Sequence, residues 1–547
     1  MAKSLSLYTG QTTTGFISEQ FYGALDTIAT LEIDNVLDAR MTDSDRRTMN
    51  FHLAAQVPAL DMSVRGMLID TVEREQLVSD LQKQLRKVER ELVNHPDIKP
   101  VWDKMEKNTG ACAAPSRKDG KHKWQPGVED TPERKCLDCG ASRMKVRPFK
   151  PSSDDDLKHL VYDVWGLKTI TNKDGKVTAD KEARGRLKER SKRYAPTIEK
   201  IDEYADIKKQ LEFLAFNSND GRFHSGFNVG VTGTHRWSSN KDAFQRGGNA
   251  QNITERHRHI FTADPGYELC YADLKQAESN VIAHKAGDEE YIEAHRIGDT
   301  HTYVCRLVWP EGIEGQEWTW NDIKADKKIA TSANPKWDDR EGHDYRFQSK
   351  AVQHGSNLGL TAFGLAIQKR IPQEAAREAQ RRYFRAFPGI RNYQNYIRQL
   401  VENQEPIVNP LGMRFKLFGR PWDESTYKEG LAIIPQSTVG NIIQLAVIRI
   451  FREMPEVQLL AQVHDAILFQ FPKGQYQYVY DAMQLMTIPV KVEGVDGKWR
   501  TITIGTEAAV GHNWAHANDD PKHGRVNPHG VREITFTDRD HWSIKEH

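Results

Sequence analysis

An α+β fold is the expectation for this 547-residue chain, on three observations. Long helical periodicities fill much of the first 220 residues. Two apolar strands far apart in sequence each break at an aspartate, Asp273 in YADLKQAESNVIAH and Asp465 in QVHDAILFQF. Between them lies RFQSKAVQHGSNLGLTAFG, in which Arg346 and Lys350 are four residues apart and therefore share one face of a helix. Two carboxylates facing two cations make a site for a metal–polyphosphate complex. At this length one compact core does not suffice, and roughly three or four subdomains are expected.

Composition bounds the function classes. Hydrophobic residues make up 38% and charged residues 28%, the balance of a soluble globular chain. The net charge is +1 from 77 basic and 76 acidic residues, so nucleic-acid binding would have to come from segregated charge. No apolar run approaches the ~20 residues of a membrane span, and MAKSLSLYTGQTTTG lacks the apolar core of a signal peptide. The expectation is an intracellular, cytoplasmic protein without membrane contact. Cys270 and Cys305 sit singly in apolar contexts and read as reduced core residues.

Taken in order, EQFYGALDTIATLEI is a helix in an otherwise mixed segment 1–60. After MSVRGMLID comes a long helix whose Asp70 and Glu73 fit a capping box, with Leu77, Leu81, Leu85, Val88 and Leu92 at spacings of four and three. Its other face is densely charged, which suits an antiparallel helical hairpin with a solvated side. Residues 101–150 break the pattern with Gly, Pro and Lys, and carry Cys112, His122, Cys136 and Cys139. The CxxCG turn in KCLDCGASR presents two thiolates to one tetrahedral ion, and Cys112 and His122 could complete a zinc site. A redox CxxC is disfavoured because no thioredoxin-like context surrounds it. Helical rhythm resumes from FKPSSDDDLKHLVYDVWGLK through IEKIDEYADIKKQLEFLAF. The next stretch, GRFHSGFNVGVTGTHRWSSNKDAFQRGGNAQNITERHRHIF, offers many short donors on an irregular backbone, suited to sugar-phosphate and minor-groove acceptors.

The ordered motifs THRWSS, NAQNIT, YADLKQAES, DTHT, RFQSKAVQHGSNLG, PQSTVGN, QVHD and AVGHNW resemble those of the family-A DNA polymerases, the DNA polymerase I type with bacteriophage members. The likeness runs from about residue 60 to about 515. It implies the right-hand polymerase fold: a helical thumb, a palm with an antiparallel sheet, and helical fingers. The implied division is a short N-terminal region over 1–60, a thumb region over 61–220 with the Cys/His insertion at 101–150, palm over 221–300, fingers over 301–430, palm again over 431–515, and an extension over 516–547. The implied activity is template-directed DNA synthesis on primer–template DNA from dNTPs, in phage or viral genome replication.

The resemblance assigns Asp273 and Asp465 to catalysis and, with Leu274, to Mg²⁺; two ions roughly 3.5–4 Å apart would activate the primer 3′-hydroxyl and stabilise the leaving pyrophosphate. Mn²⁺ can substitute. Arg346, Lys350 and His301 match triphosphate contacts, and Gln276, Glu278, His354 and Leu358 complete the nucleotide site. Glu278 matches the steric gate that favours deoxynucleotides. Arg236, Asn249, Gln251, Gln436 and His464 match residues that contact primer–template sugars and minor-groove acceptors, which test pairing geometry without reading sequence.

Three departures stand out. His354 occupies a position where many members carry an aromatic residue, Leu358 one where tyrosine usually precedes a glycine, and Ala466 one where an acid commonly follows the aspartate, so a third carboxylate is expected to be missing. About 60 residues ahead of the thumb cannot hold an exonuclease of roughly 150–200 residues. The expectation is therefore a monomer without 3′–5′ exonuclease, with proofreading from a separate protein and a replisome or processivity partner at the Cys/His insertion. A second insertion, WPEGIEGQEWTWNDIKADKKIATSANPKWDDREGHD, carries Trp309, Trp318, Trp320 and Trp337; core packing is favoured over stacking on a template base. A single-subunit RNA polymerase shares the aspartates and helix cations, but Glu278 and the PQST–QVHD pair argue against it. A silent DNA-binding scaffold has no need of Asp273, Asp465, Arg346 and Lys350 together.

Overall fold

A computed structural model describes residues 19–98, 133–139, 142–144, 149–172, 175–217, 219–335, 343–369, 371–519 and 525–545. The chain divides into two compact units, one made of Met1–Leu68 and His224–His547, the other of Ile69–Phe223.

In the Ile69–Phe223 unit, Asp70 caps the helix Thr71–Val93 by accepting from the Glu73 N–H at 2.9 Å. Leu81, Val88 and Leu92 are buried against the helix Ala195–Leu214, and Leu77 and Leu85 lie at the margin. The pair is antiparallel: Arg74, at the start of the first helix, donates to the Leu214 and Phe216 carbonyls at the end of the second, while Glu91 pairs with Lys200 at 2.7 Å. A second core gathers Val161, Ile170, Ala183, Leu187 and Ile198, with Trp165 stacked on Tyr194. Around the CxxC turn, Glu133–Lys135 pairs antiparallel with Ser142–Met144; Cys136 is buried and Cys139 half-buried. Cys112 and His122 lie outside the described residues.

The larger unit is built on a sheet. Tyr267–Leu274 lies between Ala466–Pro472 and Thr506–Gly511, antiparallel to both, and Gln458–Val463 closes one edge. On the other side the sheet continues through Gly530–Phe536 to Asn513–His516 and Phe261–Thr262. The C-terminal extension is therefore part of the sheet. Ile534 and Glu533 pair with Ala508 and Ala509, and Trp542–Ile544 adds a further antiparallel strand.

Behind the sheet runs the helix Glu424–Glu453. By length and composition it could cross a membrane, contrary to the sequence reading, but 83% of its most apolar window is buried inside the protein, as a core helix requires. Pro435 interrupts it and cannot donate to the Leu431 carbonyl one turn back. The buried Tyr393 hydroxyl fills that vacancy, donating to Leu431 O at 2.9 Å. Gln444 on the same helix accepts from the Trp237 indole at 3.0 Å and donates to the Phe51 carbonyl at 2.9 Å, tying the N-terminal helix Asp43–Ala54 to the THRWSS loop.

Candidate active site

Strand register brings the two aspartates together. Asp273 stands opposite Ala466 on one side and Glu507 on the other. Asp465 occupies the two-residue turn joining Gln458–Val463 to Ala466–Pro472, and its carbonyl accepts from the Leu274 N–H at 3.1 Å. Its neighbour His464 has φ of 57°, a left-handed conformation that a non-glycine residue adopts only where the surroundings hold it. Gln462 supplies that hold, donating from Nε2 to the His464 carbonyl at 2.5 Å and accepting from Gln251 Nε2 at 2.7 Å. Asn249, in turn, accepts from Ser239 Oγ at 2.7 Å and the Gln251 N–H at 2.9 Å. Two of the residues expected on DNA thus also buttress the Asp465 turn. Gln436 follows Pro435 on the long helix and is half-buried.

Burial, then the charges of Asp465 and Glu507, push the Asp273 carboxyl up to about 8. Its Oδ1 is buried and accepts no hydrogen bond among the described residues. Ala466 supplies no carboxylate after Asp465, but a third acid, Glu507, stands beside Asp273 from the strand on the opposite flank, by register between segments over two hundred residues apart. Mutually repelling oxygen donors with one unsatisfied atom fit a hard divalent cation. Asp273 and Asp465 would be its carboxylate ligands, and Leu274, whose side chain is buried, can offer only its main-chain carbonyl. Among the described residues no group of three or more His, Cys, Asp or Glu side chains is arranged to hold a metal, so further ligands would have to come from elsewhere, as magnesium's commonly do.

Across a cleft of about 650 Å³, the helix Tyr345–Asn357 presents Arg346, Lys350, Gln353 and His354. Asp344 caps it, accepting from the Phe347 N–H at 2.7 Å. The helix ends at Leu358, with Gly359 at φ of 73°, where a Cβ would also stand 2.8 Å from Leu431 Cδ1. Arg346 makes a two-point contact with Asp299, Nε to Oδ2 at 2.9 Å and Nη2 to Oδ1 at 3.0 Å. Asp299 also caps Thr300–Val308 and accepts from the Thr302 hydroxyl at 3.0 Å. Burial would raise its carboxyl, but the Arg346 contacts prevail and hold it below the usual carboxylate range. His301 Nδ1 lies 2.5 Å from Gln353 Oε1, and burial foremost, with Arg346 and Lys350 nearby, pushes its pKa down to about 4.

Glu278, on the helix Ala277–Ala286, is ion-paired with Arg236 and lies 3.8 Å from His354 Nε2. Gln276, itself left-handed at φ of 50°, donates to the Gly298 carbonyl and accepts from the Thr300 N–H, both at 3.1 Å. It therefore fixes the Asp299 turn relative to Asp273. Leu358 and His354 help line a second cavity of about 370 Å³, which shares Lys350 and His354 with the cleft.

The sequence reading missed Asp299, Glu507, Glu533, Lys275, Lys324 and Lys327, all of which line the cleft. Asp299 was within sight beside His301 in DTHT. The tryptophans of the second insertion divide: Trp318 is buried with Cys305, Ile313 and Tyr345, and Trp309 packs on that core as expected, whereas Trp320 is exposed beneath the Arg306 guanidinium. Trp337 lies outside the described residues.

The family model for DNA polymerase family A matches residues 133–516. A thermostable DNA polymerase I of Thermus thermophilus is 24% identical over 471 residues, covering 81% of this chain and 51% of the relative. The DNA polymerase I of Mycobacterium bovis is 30% identical over 271 residues, 48% of this chain and 27% of the relative. The chain thus spans about half, or less, of the length of these curated relatives. Among solved structures, the POL domain of Pol1 from M. smegmatis, in complex with DNA primer-template and dNTP, aligns with a TM-score of 0.60 at 22% identity, covering 84% of this chain and 69% of that one. That likeness establishes the right-hand polymerase fold.

Proposed function

Since the chain belongs to DNA polymerase family A, matched from residue 133 to 516, we propose that it extends primer 3′ ends with deoxynucleotides under the direction of a DNA template. One observation carries the reading: Asp273 and Asp465 on the sheet face Arg346 and Lys350 on a helix across a single cleft. Divalent cations held by Asp273, Asp465 and the Leu274 carbonyl would supply activation of the primer hydroxyl and charge neutralisation at the leaving pyrophosphate. Arg346 and Lys350 bind the nucleotide's phosphates, where their charge counts most as negative charge develops on the leaving group. Asp299 presents Arg346 in a fixed orientation. Glu278, held by Arg236, narrows the space at the sugar and favours deoxynucleotides. We assign 61–220 as thumb, 221–300 and 431–515 as palm, and 301–430 as fingers. A setting in phage or viral genome replication rests on the sequence resemblance alone.

Primer extension on a DNA template with Mg²⁺, run with dNTPs and rNTPs in parallel, tests the assignment. dNTP-dependent synthesis by the wild type, lost in Asp465→Ala with primer–template affinity retained, is the expected result. Binding without extension by the wild type would overturn it.

A further inference from the structure

The cleft has a wall that belongs to the Trp-bearing insertion, the helix Ile323–Ser332. Asp322 caps this helix, accepting from the Lys324 and Ala325 N–H groups at 2.9 and 3.1 Å. Asp326 and Ala330, one turn apart, point inward and are completely buried, whereas Lys324 and Lys327 are exposed on the cleft side.

The helix is anchored to both elements that carry the expected phosphate contacts. Arg306, on the helix that bears His301, meets Asp326 at 2.5 Å with the two side chains 1% and 0% exposed. Asp326 also accepts from the Thr319 N–H and hydroxyl and from the Trp320 N–H, at 2.8, 2.9 and 3.1 Å. Trp318 and Ala330 share a core with Cys305, on the His301 helix, and with Tyr345, the first residue of the Arg346 helix. Lys324 and Lys327 are thereby held on a rigid support.

Lys327 Nζ is 4.0 Å from Asp299 Oδ2, the atom that already accepts from Arg346 Nε at 2.9 Å. Asp299 is thus shared by Arg346 and Lys327, and Lys350 and Lys324 line the same cleft. One carboxylate does not neutralise both Arg346 and Lys327, and the further cations Lys324 and Lys350 on the same cleft add to the excess that an anion would meet. We propose that Lys324 and Lys327 form a second cationic subsite, which binds the distal phosphates of the incoming nucleoside triphosphate and the pyrophosphate that leaves. The proposal rests on the polymerase reading for the identity of its ligand.

The test compares wild type with Lys324→Ala/Lys327→Ala, the corresponding double arginine variant, and Lys328→Ala as an exposed neighbour on the same helix that does not line the cleft. The alanine pair should raise both the KM for dNTP and the inhibition constant of pyrophosphate roughly fivefold or more, a figure discounted for solvent exposure. kcat should change little, the arginine pair should recover most of the loss, and Lys328→Ala should behave as wild type. Unchanged KM and pyrophosphate inhibition, or equal effects from Lys328→Ala, would overturn the subsite. Calorimetric binding of tripolyphosphate to wild type and the alanine pair separates the two readings. If wild type fails to extend primers, the polymerase reading falls, while weaker tripolyphosphate binding by the alanine pair still upholds the subsite and equal binding dismisses it.

Discussion

Replacing Asp273 by asparagine should stabilise the metal-free protein at alkaline pH even as it removes the activity. In the folded chain this carboxyl titrates at about 8 against a reference of 3.8, because burial, Asp465 and Glu507 all oppose its ionisation. Between those values the folded state holds a proton that the unfolded state has released. Stability is therefore greatest below the reference value, falls as pH rises through the window, and is lowest above about 8. At about 1.36 kcal/mol per pH unit the full displacement corresponds to about 5–6 kcal/mol. Partial access of water to the cleft reduces that to about 2–3 kcal/mol. The introduced amide carries no charge and can donate to Asp465, so it escapes the penalty. For a unit of this size the gain amounts to roughly 2–5 °C in melting temperature. Scanning calorimetry in EDTA at about pH 5 and about pH 9 reads it, with the gap over wild type opening at the higher pH. Added Mg²⁺ should then raise the melting temperature of wild type more than that of Asp273→Asn, since only the wild type regains a counter-charge for a strained carboxylate. A variant less stable than wild type at alkaline pH in EDTA would refute the argument, because it would mean that the Asp273 charge is already compensated within the protein.

Three other outcomes follow from the same cleft. Glu507→Gln removes one of the negative charges that draw a cation to Asp273; the Mg²⁺ concentration for half-maximal extension should rise several-fold, and an unchanged metal titration would show that the Glu507 charge does not act on the site. His301 is neutral when free, and Gln353 Oε1 occupies its Nδ1 proton while Gln353 Nε2 donates to Tyr291 at 2.8 Å, so contact of Nε2 with a phosphate requires protonation; dNTP binding followed by calorimetry in buffers of different ionisation enthalpy should show more proton uptake for wild type than for His301→Asn. Asp326→Ala leaves Arg306 uncompensated and strips a partner from Thr319 and Trp320, a loss of about 3–5 kcal/mol, seen as faster hydrogen exchange across 309–332; exchange as slow as wild type would show that the ion pair does not pin the insertion.

That Asp273 and Asp465 meet is decided by strand register, but each was legible because it sits in a short motif that carries the family resemblance, and the Arg346–Lys350 pair was legible because a four-residue spacing puts both on one helix face. The capped helix at Thr71 was legible for the same reason, since Asp70 and its target N–H are three residues apart. What escaped was decided by distant partners. Glu507 became a neighbour of Asp273 only through strand register, and in TEAAVG it looks like any solvent-facing residue of an edge strand. The tail strand GVREITF shows a weak alternation, and its partner is fixed by Thr506–Gly511, which no local pattern names. Lys324 and Lys327 have the appearance of a solvated helix face, which they would be were it not for the buried Asp326 that turns that face toward the cleft. The long helix Glu424–Glu453 runs through Pro435, and the Leu431 carbonyl left without its helical donor is met by the Tyr393 hydroxyl, from an element over thirty residues away.

The resting cleft is unevenly satisfied, and that unevenness orders its use. Arg346 is held by Asp299, Glu278 by Arg236, and His301 by Gln353. Each of these side chains already has an oriented partner, so a ligand that engages it exchanges or supplements an existing contact and does not have to order a free side chain. Asp273 differs: its Oδ1 is buried and accepts no hydrogen bond among the described residues, and its carboxyl is opposed by two neighbouring acids. The strongest unmet electrostatic demand therefore lies on the sheet side, where a proton answers it below about pH 8 and a bound cation answers it once that proton is displaced. Nucleotide phosphates arriving first would meet cations on the helix side but add negative charge beside an already strained carboxylate. Phosphates arriving with a divalent ion satisfy both walls at once: the metal offsets the cost of burying Asp273, and the phosphates meet the cations of the helix side.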